Sequence, residues 1–328
     1  MKLLKSIMDI RLDFNPLIPI DDICFFDIET TGLSRDYHNV YLIGLLFNNK
    51  TNNSWTLIQL FADYIEEEER ILLEFVDRVK DFQKLVSYNG DSFDIPFVKK
   101  RLHKYGHNWE NVESVDLYKY LRENKSLIDI PNLKLKTVEK YLGIERIDFL
   151  TGKECINLYK SYVNNNSDHL LKAILQHNYD DLQYMPHLLK LYNLLEDEKT
   201  VRIESADPNV ILHIDNIAFI GNNLVITGKY EPSFSIPWMY YQPFYTINMN
   251  SENAFNLTVE IKKARLSDDI LADIADIRLI ANNNIKTDLS PYDTPKGILV
   301  LRTGNNIYIK NIKAIVENLF LTHYNNRQ

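Results

Sequence analysis

The chain has 328 residues, enough for two domains at about 100–200 residues each, and its 45% hydrophobic and 25% charged content excludes a largely disordered or collagen-like chain. A net charge of −8 argues against a protein held on nucleic acid by bulk positive charge, but a site that gathers carboxylates around divalent cations fits it. No apolar run reaches the roughly 18–20 residues of a membrane span; Asp9, Arg11 and Asp13 interrupt the one start that resembles a signal peptide, and Cys24 and Cys155, both among apolar neighbours, suit reduced thiols and a cytoplasmic location.

Residues 1–20 read as a lead-in. The apolar run 23–28 reads as a buried strand and 40–47 as a second. A polar turn over 48–53 leads to a third strand, 55–60, so the three form an antiparallel meander. Ile71, Leu72, Phe75, Val76 and Val79 recur at helical spacing, which predicts a helix over 66–82 with the acidic run Glu66–Glu69 as its first turn. A strand at 85–88, a helix from 93 to 105 and a strand at 112–117 follow. Helices are expected over 133–142, 155–163 and 169–195. The pattern predicts a mixed sheet with helices packed on it, over 21–197. From 201 to 328 the runs are short and alternating (210–214, 217–220, 224–230, 244–249, 255–261, 298–301, 307–309). Hairpin signals occur at Gly221-Asn222-Asn223 and Thr303-Gly304-Asn305-Asn306. That part reads as a smaller, mainly β domain.

Three local patterns carry chemistry. In Phe26-Asp27-Ile28-Glu29-Thr30-Thr31-Gly32, Asp27 and Glu29 are two apart on a strand and share a face. Two carboxylates so placed repel each other unless a cation lies between them, and hard oxygen ligands suit Mg²⁺ or Mn²⁺; the bland alternative is a pair of solvated acids. In Tyr88-Asn89-Gly90-Asp91-Ser92-Phe93-Asp94-Ile95-Pro96, a strand ends and a helix opens. Asp94 and Asp91 both fit simple helix N-terminal acids. In His177-Asn178-Tyr179-Asp180-Asp181, His177 and Asp181 are four apart on one helical face, where a surface ion pair is the plain alternative.

In this order the three patterns resemble the motifs of the DEDD superfamily of 3′–5′ exonucleases, and most of all the bacterial predicted RNase H-related exonucleases. Asp27 and Glu29 match the first motif, Asn89 and Asp94 the second, His177 and Asp181 the third. Leu133–Leu142 with Gly143, then Gly152 and Tyr159, match the segments between. The likeness spans about residues 20–195 and stops before the β-rich third. Members with a catalytic His place it five residues before the last acid, and members with Tyr four before. His177 stands four before Asp181 and three before Asp180, and Asp181 is the preferred match.

The resemblance implies an α/β ribonuclease H-like fold and two-metal hydrolysis of phosphodiester bonds. Asp27, Glu29, Asp94 and Asp181 would hold two Mg²⁺ or Mn²⁺ ions, with His177 as general base. Thr30, Thr31 and Gly32 would approach the terminal nucleotide through backbone groups, and Asn89 would donate to sugar or phosphate. The implied partner is single-stranded DNA or RNA with a free 3′ end. Tyr88 and Phe93 are candidates for stacking on bases or for core packing. Lys99, Lys100, Arg101 and Lys104 are either a phosphate-holding cluster or a solvated helix face. The alternatives are a non-catalytic nucleic-acid-binding module and a nuclease recruited by a β-rich protein-interaction domain, in which the aromatic stretch Trp238–Phe244 would be a binding surface or a core loop.

Overall fold

The computed structural model describes residues 1–49, 54–110, 112–128, 130–145, 150–203, 209–232, 238–280 and 288–324; part of the turn expected over 48–53 lies outside them. The chain divides into two compact units, residues 1–125 with 130–193, and 126–129 with 194–328.

The first unit contains β1 (Lys2–Met8), β2 (Ile23–Thr30), β3 (Val40–Asn49), β4 (Ser54–Phe61), α1 (Glu68–Val79), β5 (Lys84–Ser87), α2 (Asp94–Lys104), β6 (Glu113–Asp116), α3 (Leu117–Glu123), α4 (Leu135–Tyr141), α5 (Gly152–Asn165) and α6 (Asp168–Tyr184). The strands form one mixed sheet in the order β1-β4-β3-β2-β5-β6. The expected meander is present as antiparallel β2, β3 and β4, and β5 and β6 add in parallel to β2. The lead-in is not a free arm: β1 pairs along β4 from Lys2↔Phe61 to Met8↔Trp55. The α-amino group of Met1 pairs with Glu67, and Lys2 with Asp63 and the Tyr162 hydroxyl. The helix expected over 169–195 is broken. Pro186 cannot supply the N–H that a continuous helix needs, so α6 ends at Tyr184, a 3₁₀ turn covers Met185–Leu188, and α7 (Leu189–Glu198) resumes.

Helices cover both faces of the sheet, so β2 is largely buried on both sides. Phe26 meets Phe75 of α1 with ring centroids 5.8 Å apart. The next residue, Asp27, points to the opposite face, where Asn178 of α6 reaches it. On that face Asp27, Gly44 and Gln59 lie side by side across β2, β3 and β4. A Cβ at Gly44 would stand 2.3 Å from Asn178 Oδ1 and 2.3 Å from Leu182 Cδ1. The missing side chain is what lets α6 come this close.

One residue of the basic cluster and one of the acidic run are buried against each other. Arg101 is only 1% exposed and Glu68 is 0% exposed. The guanidinium donates to both Glu68 oxygens, at 2.8 and 2.6 Å. The Tyr105 hydroxyl (2.7 Å), the Val40 N–H (2.7 Å) and the Asn39 amide (2.6 Å) complete the carboxylate's partners. Arg101 is therefore unavailable to phosphates, and Glu68 is a core residue as well as a first-turn acid. Lys100 remains at the surface, paired with Asp36 at 3.0 Å.

The second unit contains β7 (Thr200–Ile203), β8 (Val210–Ile220), β9 (Asn223–Glu231), β10 (Trp238–Gln242), β11 (Tyr245–Met249), β12 (Ala254–Glu260), β13 (Lys262–Ser267), β14 (Ile270–Asp276), α8 (Ile277–Ile280), β15 (Ile298–Thr303), β16 (Asn306–Ile307) and α9 (Ile309–Tyr324). They form an antiparallel six-stranded sheet, β10-β11-β12-β9-β8-β7, and a four-stranded one, β13-β14-β15-β16. The two runs expected at 210–214 and 217–220 are one strand, β8, with a register shift between Ile214 and Asn216. Both hairpin signals are turns, with Gly221 at φ +59° and Gly304 at φ +55°. Trp238–Gln242 is an edge strand, not a loop, with Trp238 inward and Met239 and Tyr241 outward. Residues 307–309 are not a strand throughout, because Ile309 opens α9. That helix was legible: Ile312, Ile315, Val316, Leu319 and Phe320 recur at helical spacing and are all buried.

Breaking a buried ion pair strands a charge, so Arg101→Met should destabilise the chain by about 3–5 kcal/mol. Lys100→Met, at an exposed pair, should cost no more than about 1 kcal/mol. Urea denaturation of both variants checks the contrast.

Candidate active site

Five side chains from three elements meet near the end of β2. Asp27 and Glu29 project from the α6 side of the strand, two residues apart. Pairing of β2 with β5 stops at Phe25↔Val86, and the N–H of Ile28, between the two acids, donates to Asp94 Oδ1 at 3.1 Å. Asp94 opens α2, and its carboxylate also reaches across to the sheet. On α6, His177 Nε2 lies 3.5 Å from Glu29 Oε1 and 3.7 Å from Asp181 Oδ2. Ligand atoms of Glu29, His177 and Asp181 all fall within 4.8 Å of one another. Asp180 points elsewhere and accepts from Gln176 on its own helix at 2.7 Å.

Burial and mutual repulsion make the cluster electrostatically costly. Desolvation first, then the charges of Asp94, Glu29 and Asp181, hold Asp27 well above the carboxylate range. Desolvation, then Asp181 and Asp94, push Glu29 up to about 8. Desolvation pushes Asp94 up to about 7, against the opposing hydrogen bond from Ile28. The Tyr41 hydroxyl lies beside Glu29 and works against its rise. Tyr41 is the extra residue at the register shift between β2 and β3, and its ring stacks on Tyr159 at 3.9 Å. Bulges of this kind re-aim a side chain next to a site.

The flanking loops are held by their own hydrogen bonds. Thr30 donates its hydroxyl to the Gly32 carbonyl at 2.9 Å. Thr31 donates its N–H to Asn39 O at 2.9 Å, and its Oγ1 accepts from the Asn39 N–H at 3.0 Å. Both hydroxyls thus shape the turn. At Gly32 a Cβ would meet the His38 ring at 2.5 Å, so a side chain there would have to displace that ring. Asn89 sits at φ +70°, and its N–H donates to Asp116 Oδ1 at 2.9 Å. Asp116 also accepts from the Asp91 N–H at 3.1 Å and caps α3 through Lys119 N at 3.1 Å. Asp91 accepts from the Ser114 hydroxyl at 2.6 Å, so neither acid of this loop is a plain helix cap. Tyr88 donates to the Leu133 carbonyl at 2.7 Å and Phe93 packs on Phe97 at 5.4 Å.

Sequence reasoning missed four polar residues around the acids: Asp116, Tyr41, Asn178 and Gln59. One had a signal: Asn178 interrupts the apolar stripe of Ile174 and Leu182 on α6, and Gly44 opposite it is a lone glycine inside a strand, which marks a close approach.

Buried, mutually repelling carboxylate oxygens are the donor set that hard divalent cations fit, because a cation would relieve both burial and repulsion. The raised values also set a stability trend. Between the ordinary carboxylate range and about 8, the folded chain keeps protons on Glu29 and Asp94 that the unfolded chain releases. The cluster's own contribution to stability without cations should therefore be greatest at low pH and fall as pH rises through that window. In chelator, urea midpoints should show wild type losing ground to Glu29→Gln between pH 5 and pH 8, and Mn²⁺ should restore wild type more at pH 8 than at pH 5.

Over 202 residues the chain is 30% identical to the uncharacterized protein YprB of Bacillus subtilis (strain 168), covering 57% of this chain and 45% of that one. It thus spans less than half the length of the curated relative it matches. Among solved structures it is similar to the family B DNA polymerase of the archaeon Pyrobaculum calidifontis, with TM-score 0.41 and 17% identity over 54% of this chain and 25% of the polymerase. It is also similar to product-bound exonuclease I, with TM-score 0.33 and 12% identity over 63% of this chain and 58% of the other. The model of the RNase H superfamily matches residues 24–193, a span of more than half the chain that contains β2, α2 and α6 and all five clustered side chains, and the chain belongs to that superfamily.

Proposed function

We propose that this chain is a metal-dependent 3′–5′ exonuclease of the DEDD type, which removes nucleotides from single-stranded DNA or RNA with a free 3′ end. The observation that carries the reading is the convergence of four acids and one histidine from β2, α2 and α6 at one largely buried place. Asp27, Glu29, Asp94 and Asp181 would hold two Mg²⁺ or Mn²⁺ ions. When bound, these supply the positive charge that favours attack by water and departure of the 3′ oxygen. The gathering of all four acids favours hydrolysis over a non-catalytic binding module.

The chain's own residues have distinct tasks in this reading. Asp94, pinned to the Ile28 N–H, keeps its carboxylate beside those of β2. His177 Nε2, within 3.5 Å of Glu29, is placed to take a proton from the attacking water. The turn at Thr30–Gly32 is pre-shaped by its own hydrogen bonds, so it would meet the terminal nucleotide without reorganising. Asn89, in the loop after β5, would donate to sugar or phosphate.

End-labelled single-stranded DNA and RNA, incubated with Mn²⁺, Mg²⁺ or EDTA, test the reading. Mononucleotides should be released from the 3′ end with either metal and not in EDTA. Asp27→Asn and Asp181→Asn should abolish release, while Asp180→Asn should keep most of it. Full activity in excess EDTA would overturn the metal reading, and loss in Asp180→Asn alone would move the ligand by one residue.

His177→Ala should slow turnover about 10²–10⁴-fold if the imidazole is the general base, with nucleic-acid binding nearly unchanged in a filter or anisotropy assay. Near-normal turnover would leave His177 a structural neighbour of Glu29.

A further inference from the structure

Asn178 is 0% exposed, lies next to the histidine of the site in sequence, and has no place in the mechanism above. Its amide stands over Gly44, in the middle of the row Asp27–Gly44–Gln59 that crosses β2, β3 and β4. Gln59 Nε2 donates to the Leu175 carbonyl at 2.8 Å and to Asn178 Oδ1 at 3.0 Å. Asn178 Nδ2 donates to Asp27 Oδ2 at 2.9 Å.

The direction of this chain is set at its far end. A backbone carbonyl can only accept, so the Gln59 group facing Leu175 must be the NH₂. The same NH₂ faces Asn178, whose oxygen must therefore turn towards Gln59. The Asn178 NH₂ is then left to face Asp27, which receives a donor and never an acceptor. With either amide flipped, two oxygens or two NH₂ groups would oppose each other in a buried place, where unmatched polar groups are costly.

We propose that Gln59 and Asn178 form an oriented amide relay that fixes the Asp27 carboxylate for cation binding, holding Oδ2 by one lone pair and setting the plane in which the remaining lone pairs are presented. Both are positioning residues, and Gly44 is the opening that admits the relay. The inference rests on the reading of Asp27 as a metal ligand. Hydrogen bonds to a ligating carboxylate orient it, and their loss typically lowers metal affinity about 10–100-fold. The relay would thus tune how tightly the site holds its cations without touching the nucleic acid.

Calorimetric titration of the full chain with Mn²⁺, without nucleic acid, tests this. Asn178→Leu removes the donor to Asp27 at similar volume and should weaken Mn²⁺ binding about 10–100-fold. Gln59→Met removes the donor that orients Asn178 and never touches Asp27, so its affinity should fall between wild type and Asn178→Leu. In nuclease assays both variants should regain most of their kcat at raised Mn²⁺, with KM for the nucleic acid unchanged. A purely structural role would lower the unfolding midpoint and leave the Mn²⁺ isotherm of the folded protein as in wild type. If both variants fold and bind Mn²⁺ as wild type does, the relay is overturned while the metal reading stands. If wild type itself binds no Mn²⁺, the metal reading fails and the relay with it. Should Asn178→Leu not fold, Gln59→Met decides alone: unchanged Mn²⁺ affinity in it overturns the relay.

Discussion

The approach of α6 to the sheet at Gly44 is the contact on which the site is built. A strand interior ordinarily carries a side chain that keeps a crossing helix at a distance. Here the absent Cβ lets Asn178 and Leu182 settle onto the backbone of β3, and this sets the depth and rotation of α6. With Asn178 seated, His177 and Asp181 are carried to the side where Asp27 and Glu29 project, and Asp180 is carried away from it. A helix turns about 100° per residue, so one buried anchor in the right place decides which of two adjacent acids joins the cluster.

The same contact creates an electrostatic problem. Asp27, Glu29, Asp94 and Asp181 are brought near one another with little water, and the folded chain holds the first three above their ordinary range. The surrounding groups soften this without removing it. The Ile28 N–H serves Asp94, the Asn178 amide serves Asp27, the Tyr41 hydroxyl and the His177 imidazole lie against Glu29. A fully neutralised cluster would have little need of a cation; this one is left short of positive charge, as the proposed cation site requires.

A second buried charge pair plays a different part. Glu68 and Arg101 join α1 to α2, and Glu68 also takes the Val40 N–H and the Asn39 amide. Asn39 in turn exchanges hydrogen bonds with Thr31. The turn after Glu29 is thereby tied to the core on the other side of the sheet. The loop of the second motif is similarly hung on Asp116, which receives the N–H groups of Asn89 and Asp91. Both loops that flank the acids are held from behind by buried carboxylates, which leaves the acids themselves free of that task.

The sequence by itself determined what depends on short periods and local turn chemistry. Period two put Asp27 and Glu29 on one face, period 3.6 put His177 and Asp181 on another, and Gly221 and Gly304 marked hairpins. Together these made the α/β unit and the β-rich unit legible, along with the candidate acids. Local signals were also passed over, in the helical spacing of α9 and the break at Pro186. Only the tertiary structure decided which distant groups meet. Nothing near Arg101 in sequence says that its partner is Glu68 rather than a phosphate, nothing in Lys2–Met8 says that it completes a sheet, and nothing in Gln59 says that it orients Asn178. Periodicity tells a side chain which face to take; it carries no information about the partner across that face, because the partner is chosen by the packing of the whole unit.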